Sequence, residues 1–421
     1  MIVAVSQSEI NGRATAPSSK SYTLRGLMCA ALAAGQSEIE RPLYADDTEA
    51  GREVLEKIGV VITGKADSWL VSGGNFRRPD SELFCRNSAG TLRFMTAVCS
   101  LVPGTCLLTA GLSLSRRPIT PLVVALRQLG VNCFTEEGTA LVTVKGGRLE
   151  GGSAELPGDI SSQLVSALLF IAPRAEQGMT ILLTPPVESK PYIQMTLDCM
   201  KKFGIKVEHS SDNRRYTVKP QAYKPARYRA EGDWSSASYL LSLGAVAGEV
   251  HVSNLNKASL QADREISAFL AAMGADLRTA GDVIRVKKSQ LKAIKADLSD
   301  CIDLLPTMAV LAAAAQGESV LSGISRARLK ESDRVAAVKE GLKRMGIPVR
   351  EERDTIYITG ARPTGGLIDS KGDHRIAMAF SILGVLSGNT IIEGAECVAK
   401  TYPDFWTVLK SLGGKVDFYE Q

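Results

Sequence analysis

Six glycines at a nearly constant spacing constrain the fold more than any other feature of this 421-residue chain. Each follows an apolar stretch with helical periodicity and precedes a strand-like run, and neighbouring members of the set lie 67 to 74 residues apart. Glycine is favoured just after a helix because that position needs a positive φ. Six recurrences at one period indicate an internal structural repeat. The six are Gly59, Gly130, Gly204, Gly274, Gly346 and Gly413.

Short apolar runs follow each glycine and predict strands that are paired across polar turns. The predicted pairs are 60–62 with 69–71, 131–134 with 140–144, 205–207 with 216–218, 275–277 with 283–286, and 347–349 with 355–358. The first two turns are predicted at 65–67 and 136–138, and the last glycine leads to a single strand at 415–418.

A second helix in each repeat is predicted from a small or polar start followed by a run that is apolar nearly all round, which is typical of a buried helix. Capping explains Ser and Asp at these starts, but several of them also carry Lys, Arg or Gln. Because helix N-termini favour anions, we expect them to form an anion-binding surface. The starts are 18–21, 87–91, 159–163, 233–236, 300–303 and 373–375.

Each repeat therefore reads β-α-β-α-β-β, and three repeats give about 215 residues, a normal domain size. Pro220 and Pro225 interrupt the pattern after the third repeat. We predict an α/β (α+β) protein with two domains of three βαβαββ repeats each: residues 14–228, and residues 1–13 with 229–421. The first strand, Ile2–Val5, is expected to pair with the C-terminal half.

Composition and charge narrow the class of protein. The net charge of +5 permits anionic substrates, and the basic clusters lack the interleaved aromatics typical of nucleic-acid binding. No apolar run approaches a membrane span, and residues 1–13 read as a strand rather than a signal peptide. The eight cysteines show no CxxC or Cys/His spacing, so we expect buried, reduced thiols in a cytosolic protein. The three histidines are too scattered to indicate a metal site.

The segment 325–334 concentrates two acids and four bases directly before a predicted helix that ends at Gly346. Glu331 lies there between Lys330 and Arg334. A carboxylate held among cations is a candidate acid/base group for an anionic substrate. The alternative is a solvated loop with a capping pair.

Other candidate residues also lie at predicted helix starts. Lys20, Ser21 and Arg25 suit phosphate or carboxylate, and Arg117 suits a carboxylate, with surface positions as the alternatives. Asp303 precedes an apolar helix, where it is either a cap or a base whose pKa is tuned by burial.

Two further segments carry polar or small residues in the same kind of setting. The run 161–163 offers hydroxyl and amide groups for a polyol or phosphate, with capping as the alternative. The small-residue turn Ala89-Gly90 allows close approach of the backbone to a ligand.

Taken together and in order, these motifs resemble the 5-enolpyruvylshikimate-3-phosphate (EPSP) synthase family. The resemblance covers the whole chain and implies a two-domain inside-out α/β barrel with helix N-termini facing a cleft. It implies transfer of the enolpyruvyl group of phosphoenolpyruvate to the 5-hydroxyl of shikimate 3-phosphate, with release of phosphate, in the shikimate pathway to chorismate and the aromatic amino acids. It rests on residues 17–25, 87–93, 117–118, 161–163, 189–192, 329–334, 373–375 and 399–404.

The resemblance also implies partners and cofactors. The expected partners are the two anionic small molecules, with no nucleic acid, no membrane, no metal and no organic cofactor. A cytoplasmic monomer is expected. Glyphosate is the known inhibitor of the family and occupies the phosphoenolpyruvate site.

The resemblance also implies a role for individual residues, assigned at the positions that match the family motifs. Asp303 would accept the proton of the attacking hydroxyl, and Glu331, with Lys20 nearby, would protonate the methylene carbon and later remove that proton. Shikimate 3-phosphate would be bound by Lys20, Ser21, Arg25, Ser161, Ser162, Gln163, Ser189, Tyr192, Asp303 and Lys330. Phosphoenolpyruvate would be bound by Lys20, Ala89, Gly90, Arg117, Gln163, Arg334, Arg375 and Lys400.

Two segments depart from the family pattern. Arg326 stands where the family commonly has an Asn that contacts the sugar phosphate. Ala89 stands where it usually has Gly, and Gly90 where it often has Thr.

Two alternative interpretations fit the residues less well. The sister transferase acting on UDP-N-acetylglucosamine carries a reactive Cys near position 115, where this chain has Ser115. A catalytically silent ligand-binding protein on the same repeat is disfavoured by the intact Lys20, Asp303 and Glu331.

Overall fold

The computed structural model describes residues 1–64, 67–136 and 139–419. Most of the two predicted turns, at 65–67 and 136–138, lies outside these ranges. The chain divides into two compact units. The N-terminal unit is Ser18–Glu231, and the C-terminal unit is Met1–Pro17 with Gly232–Gln421. The predicted domain boundaries, after residues 13 and 228, lie a few residues before these divisions.

Twelve α-helices are present in the described ranges, and none of them has the length and apolar character that crossing a membrane would need. The N-terminal unit contains α1 (Lys20–Leu32), α2 (Asp46–Lys57), α3 (Ala89–Val98), α4 (Thr120–Gln128), α5 (Ser162–Ile171) and α6 (Lys190–Lys202). The C-terminal unit contains α7 (Trp234–Ala247), α8 (Ile266–Ala272), α9 (Leu305–Ala314), α10 (Arg334–Arg344), α11 (His374–Ser387) and α12 (Phe405–Ser411).

Twenty-four strands are present in the same ranges. In chain order they are β1 (Ile2–Ser6), β2 (Ile10–Thr15), β3 (Gly35–Glu40), β4 (Val61–Thr63), β5 (Ser68–Gly73), β6 (Leu83–Phe84), β7 (Gly104–Thr109), β8 (Asn132–Thr135), β9 (Val142–Gly146), β10 (Gly152–Pro157), β11 (Met179–Thr184), β12 (Glu208–His209), β13 (Arg215–Val218), β14 (Arg227–Arg229), β15 (Gly248–Ser253), β16 (Asp276–Ala280), β17 (Val283–Lys287), β18 (Lys295–Asp297), β19 (Glu318–Ser322), β20 (Val349–Glu351), β21 (Thr355–Thr359), β22 (Gly366–Asp369), β23 (Thr390–Glu393) and β24 (Lys415–Tyr419).

The strands of each unit form three four-stranded sheets with one shared pattern. In the N-terminal unit the orders are β14-β3-β5-β4, β6-β7-β9-β8 and β10-β11-β13-β12. In the C-terminal unit they are β16-β17-β15-β2, β18-β19-β21-β20 and β22-β23-β1-β24. Every sheet combines one parallel pair with antiparallel neighbours. The predicted βαβαββ repeat is confirmed, and so is the pairing of the first strand, since β1 lies between β23 and β24.

The six repeat glycines adopt the backbone conformation that the sequence predicted. Their φ angles are all positive, between 75° and 101°. At each of them the chain leaves a helix and enters the next strand segment, so these glycines set the period of the repeat.

Two strand predictions need correction. No strand forms at 205–207, and β12 begins only at Glu208. The Gln221 side chain binds the backbone of Lys206 instead, accepting from its N–H at 2.9 Å and donating to its carbonyl at 2.8 Å. The predicted strand at 347–349 is reduced to its last residue because β20 begins at Val349. Pro348 precedes it and has no N–H to offer a ladder.

The second helix of each repeat is buried, as its apolar sequence predicted. These helices are α1, α3 and α5 in the N-terminal unit, and α7, α9 and α11 in the C-terminal unit. All except α9 begin after a Ser or Asp whose side chain accepts a backbone N–H of the first turn: Ser19, Ser88, Ser161, Asp233 and Asp373. Five of the six predicted polar starts therefore provide an N-cap, and the start at 300–303 does not.

Candidate active site

Arg334 is the centre of a charged cluster in the C-terminal unit. It is the first residue of α10, and only 1% of its side chain is exposed. Its Nε donates to Asp373 Oδ2 and its Nη1 to Asp303 Oδ1, both at 2.7 Å, and its Nη2 donates to Glu331 Oε2 at 2.6 Å. One guanidinium thus joins three carboxylates from three chain segments.

Asp303 is shared by several cations. It lies in the 3-10 turn Ile302–Leu304 before α9, and Arg375 Nη2 donates to its Oδ2 at 3.1 Å. Lys330 Nζ lies 3.4 Å from its Oδ1. The N-cap of α9 is Leu304, which has no side-chain cap bond, so Asp303 serves the charged cluster rather than capping the helix.

Glu331 and Lys400 form the other side of this cluster. Lys400 Nζ lies 3.8 Å from Glu331 Oε1, and Lys400 ends the 3-10 segment Ala395–Lys400. Both side chains are 10% exposed. Glu331 therefore lies between the cations of Arg334 and Lys400.

Burial and charge shift the pKa values in this cluster in opposite directions. Burial raises the pKa of Asp303, but Arg375, Lys330 and Arg334 together hold it well below its usual range. Burial lowers the pKa of Lys330 to about 8 although Asp303 opposes this. The pKa of Arg334 is lowered by burial and raised further by its three carboxylates, so this side chain stays charged.

A further acid, the buried Asp263, lies near this cluster. Ser235, in the first turn of α7, donates a short hydrogen bond to Asp263 Oδ2. Burial, followed by repulsion from Asp303, raises the pKa of Asp263 to about 7. Helices α7, α9 and α11 contact one another: Ser238 of α7 and Thr307 of α9 share a hydrogen bond at 3.1 Å, and Arg375 of α11 donates to the Tyr239 hydroxyl of α7 at 3.5 Å.

In the N-terminal unit, Lys20 begins α1 and pairs with a buried carboxylate. Its Nζ lies 3.0 Å from Asp47 Oδ2. The Asp47 carbonyl oxygen accepts from Ser88 Oγ at 3.3 Å and from Thr91 Oγ1 at 3.2 Å. Asp47 therefore connects Lys20 to the residues that flank the Ala89-Gly90 turn.

Arg25 is buried among neutral acceptors. Its Nε donates to Thr196 Oγ1 at 2.9 Å, its Nη1 to the Ser21 carbonyl at 3.0 Å, and its Nη2 to the Tyr192 carbonyl at 3.1 Å. Burial lowers its pKa. The bonds to Tyr192 and Thr196 attach α1 to the first two turns of α6. This helix begins after Ser189, which has a left-handed conformation (φ 54°).

Arg93 connects its own helix to two further segments of the N-terminal unit. It lies on α3 and is 4% exposed. Its Nη1 donates to Gln163 Oε1 at 2.7 Å and to Ser161 Oγ at 3.3 Å, and its Nη2 donates to the Pro118 carbonyl at 2.9 Å.

The remaining candidates of the N-terminal unit lie around Arg93. Arg117 is half-buried, and its backbone N–H donates to the Leu114 carbonyl at 3.0 Å. Ala89 and Gly90 are the first two residues of α3, and Ser162 is the first of α5.

The predicted residues thus fall into two groups, one in each unit. Lys20, Ser21, Arg25, Ala89, Gly90, Arg117, Ser161, Ser162, Gln163, Ser189 and Tyr192 belong to the N-terminal unit, and Asp303, Lys330, Glu331, Arg334, Arg375 and Lys400 to the C-terminal unit. The sequence-based site omitted Asp47, Arg93 and Asp373, although 87–93 and 373–375 were among the motifs. Arg326, the departure from the family pattern, is buried and donates a short hydrogen bond to the Ser299 carbonyl.

Comparison with known proteins identifies the family of the chain. The family described as EPSP synthase (3-phosphoshikimate 1-carboxyvinyltransferase) matches residues 5–409. The chain belongs to this family.

Relatives match over nearly their full length. A 3-phosphoshikimate 1-carboxyvinyltransferase of Dehalococcoides mccartyi is 51% identical, with 99% of each chain covered. One from Methanococcus maripaludis is 38% identical, covering 99% of this chain and 100% of the relative. The solved EPSP synthase of Acinetobacter baumannii superimposes with a TM-score of 0.83 at 28% identity, covering 99% of this chain and 100% of that one. The family fold is therefore that of this chain.

Proposed function

We propose that this EPSP synthase family member transfers the enolpyruvyl group of phosphoenolpyruvate to the 5-hydroxyl of shikimate 3-phosphate and releases phosphate. The observation that carries the proposal is the cluster in which Arg334 binds Asp303 and Glu331. It supplies two carboxylates for proton transfer beside cations for an anionic substrate. Full-length identity of 51% to a named 3-phosphoshikimate 1-carboxyvinyltransferase supports the same reaction.

Substrate binding is proposed to use both groups of residues. Shikimate 3-phosphate is bound by Ser21, Arg25, Ser161, Ser162, Gln163, Ser189 and Tyr192 of the N-terminal unit, with Lys20, Asp303 and Lys330. Phosphoenolpyruvate is bound by Lys20, Ala89, Gly90, Arg117 and Gln163, with Arg334, Arg375 and Lys400. Guanidinium groups suit its carboxylate and phosphate because they offer paired N–H donors.

The proposed chemistry is addition followed by elimination. The 5-oxygen of shikimate 3-phosphate bonds to C2 of phosphoenolpyruvate while its proton passes to Asp303. Glu331, in its protonated form, delivers a proton to C3. Glu331 then removes a proton from the same carbon as the C2–O bond to phosphate breaks. The proton taken by Asp303 leaves with phosphate or solvent, so protons and electrons balance.

The low pKa of Asp303 makes it a weak base while its cations remain bound. Arg334 and Arg375 are also the proposed ligands of phosphoenolpyruvate. We propose that the substrate carboxylate and phosphate take over these N–H donors and so raise the basicity of Asp303. Binding of phosphoenolpyruvate would therefore make Asp303 a stronger base for the 5-hydroxyl of shikimate 3-phosphate.

Phosphate release tests the proposed function. Purified protein is incubated with shikimate 3-phosphate and phosphoenolpyruvate, phosphate is measured, and the product is identified by ³¹P NMR and mass spectrometry. UDP-N-acetylglucosamine replaces shikimate 3-phosphate in the control. The proposal predicts phosphate release with shikimate 3-phosphate only. No release, or release with the nucleotide sugar alone, would refute it.

We also propose a cytoplasmic location. All eight cysteines are free thiols, and seven of them are buried. Free thiols at this frequency are typical of a reducing compartment.

A further inference from the structure

Arg93 is buried where three chain segments meet, and it has no role in the chemistry proposed above. It lies one turn after Ala89 on α3, so the two side chains share a helix face. Its guanidinium binds Gln163 and Ser161 at the start of α5 and the Pro118 carbonyl next to Arg117. It thus touches the segments that the proposed function assigns to both substrates.

The bond to Arg93 fixes the orientation of the Gln163 amide. A guanidinium has only donors, so the amide atom facing it, 2.7 Å away, is the oxygen Oε1. The amide nitrogen then faces the opposite side. A Cβ atom placed on Gly90 would lie 3.8 Å from Gln163 Nε2, so this nitrogen is directed towards the Ala89-Gly90 turn. Gln163 therefore presents N–H donors there.

Arg93 also orients the Ser161 hydroxyl. Its Oγ accepts from Arg93 Nη1 and from the backbone N–H of Gln163, both at 3.3 Å. A hydroxyl oxygen has two lone pairs and one proton. With both lone pairs engaged, the Ser161 hydroxyl is left to act as a donor.

We propose that Arg93 is a positioning residue that makes Gln163 and Ser161 hydrogen-bond donors towards the substrates and holds the Arg117-Pro118 segment beside them. The inference rests on the proposed function, because it assigns the polarity with which that site meets its ligands. Donors suit phosphate, carboxylate and ester oxygens, which only accept. Without Arg93 the amide would be free to rotate and present its oxygen to an anion.

Arg93→Met and Arg93→Lys test this role, with Arg127→Met as the control. Arg127 lies in the same unit and also donates to a carbonyl, that of Cys133, at 2.6 Å. We expect Arg93→Met to lower kcat/KM for phosphoenolpyruvate roughly 10- to 100-fold and to weaken shikimate 3-phosphate binding roughly tenfold. Arg93→Lys keeps the positive charge but has a single donor nitrogen, which cannot reach all three acceptors, so it should be intermediate. Arg127→Met should match the natural enzyme.

A double-mutant cycle separates positioning from a merely structural role. Gln163→Leu removes the amide, so adding Arg93→Met to it should cost much less than the same change in the natural enzyme. If Arg93 only stabilises the fold, the two effects will multiply, and the substitutions will lower the thermal midpoint without changing either KM. Effects that multiply, or a lowered thermal midpoint with an unchanged KM for both substrates, would each overturn the proposal. Should Arg93→Met fail to fold, the cycle is measured with Arg93→Lys.

Calorimetric binding of shikimate 3-phosphate keeps this inference distinct from the proposed function. An inactive natural enzyme would refute the function. If the natural enzyme is active but the Arg93 variants bind shikimate 3-phosphate and use phosphoenolpyruvate normally, only the proposed role of Arg93 is refuted.

Discussion

Arg334 of the C-terminal unit and two buried arginines of the N-terminal unit, Arg25 and Arg93, are held in opposite ways. In the C-terminal unit Arg334 binds three carboxylates, Asp303, Glu331 and Asp373. In the N-terminal unit the hydrogen bonds of Arg25 and Arg93 go to hydroxyl, amide and carbonyl oxygens. The first arrangement pairs charge with charge, and the second solvates charge with neutral dipoles.

This difference suits the two kinds of arginine to different functions, binding in one case and proton transfer in the other. An arginine held by neutral groups keeps its full charge available and its geometry fixed, which suits binding. An arginine paired with carboxylates can exchange partners when an anion arrives, and each exchange changes the proton affinity of a carboxylate. We therefore expect the chemistry to depend on the C-terminal unit and the recognition of shikimate 3-phosphate to depend mainly on the N-terminal unit.

The largest effect is expected from removing the titrating carboxyl groups. Asp303→Asn and Glu331→Gln keep the side-chain size, and each should lower turnover roughly 10²–10⁴-fold because a general acid or base is lost. Binding of shikimate 3-phosphate should change much less. Ser161→Ala, in the N-terminal unit, is the comparison and should affect binding more than turnover. Near-normal turnover in either carboxyl variant would remove that residue from its proposed role.

Stability should distinguish the two kinds of arginine next. Arg334→Met leaves three acids without their shared cation, and breaking a buried ion pair on one side costs about 3–5 kcal/mol. Arg25→Met leaves neutral acceptors and should cost about 1–3 kcal/mol. Urea unfolding at pH 7 measures both.

The pH dependence of this stability difference has a defined sign. The folded-state pKa of Asp303 is depressed, so its ion pairs contribute stability above its unfolded pKa, and that contribution is lost as pH falls through the folded value. The extra cost of Arg334→Met should therefore shrink on acidification. Equal costs for the two arginines at pH 7, or a gap that widens in acid, would contradict the comparison.

Glyphosate inhibition probes the N-terminal unit. Ala89 is 5% exposed at the start of α3. A methyl group added to a tight site costs about 1–3 kcal/mol, or roughly 5- to 150-fold in affinity. A Cβ on Gly90 would lie 3.2 Å from Leu24 Cδ1, so the turn has little room to relax. We expect Ala89→Gly to bind glyphosate more tightly than the natural enzyme, measured as the inhibition constant against phosphoenolpyruvate.

Ala97→Gly is the matched control for this prediction. Ala97 is a buried alanine later in the same helix, so its replacement imposes a similar helical cost without changing the turn. It should leave glyphosate inhibition unaltered. If Ala89→Gly binds glyphosate no better than the natural enzyme, the methyl group is not the obstacle.

The smallest effect concerns the pH dependence of substrate capture. The pKa of Lys330 is lowered to about 8 by burial, so this cation is lost as pH rises above that value. We expect kcat/KM for shikimate 3-phosphate to fall roughly tenfold between pH 7 and pH 9, since this profile reports the free enzyme. Lys330→Arg should flatten this limb. An unchanged alkaline limb in the variant would assign it to another group.

The fold was largely predictable because each repeat is determined by short local sequence patterns. Glycine after a helix and an apolar run before a polar turn depend on neighbouring residues, and all six glycines have positive φ. The prediction was wrong at 205–207, where the backbone of Lys206 is bound by a side chain fifteen residues away. No local pattern signals such a contact.

The charged cluster was only partly predictable for the same reason. The resemblance supplied Asp303, Glu331 and Arg334 individually, but Asp303 and Arg334 are 31 positions apart in the sequence, so no local pattern predicts their pairing. The helix-cap alternative for Asp303 was excluded only by its partners in the fold. Asp47 carries no signal in the sequence, since an acid in the first turn of a helix is ordinary.

The path of the chain has a consequence for how the protein is made. The N-terminal unit is one continuous stretch, and it is complete once Glu231 has been synthesised. The C-terminal unit uses β1 as an inner strand between β23 and β24, and the whole N-terminal unit lies between β1 and these two partners in the sequence. Until β24 emerges from the ribosome, β1 lacks a partner that its sheet requires. We therefore expect the unit that contains Asp303 and Glu331 to complete its folding after the N-terminal unit, because β1 lacks both of its sheet partners until β23 and β24 have been synthesised.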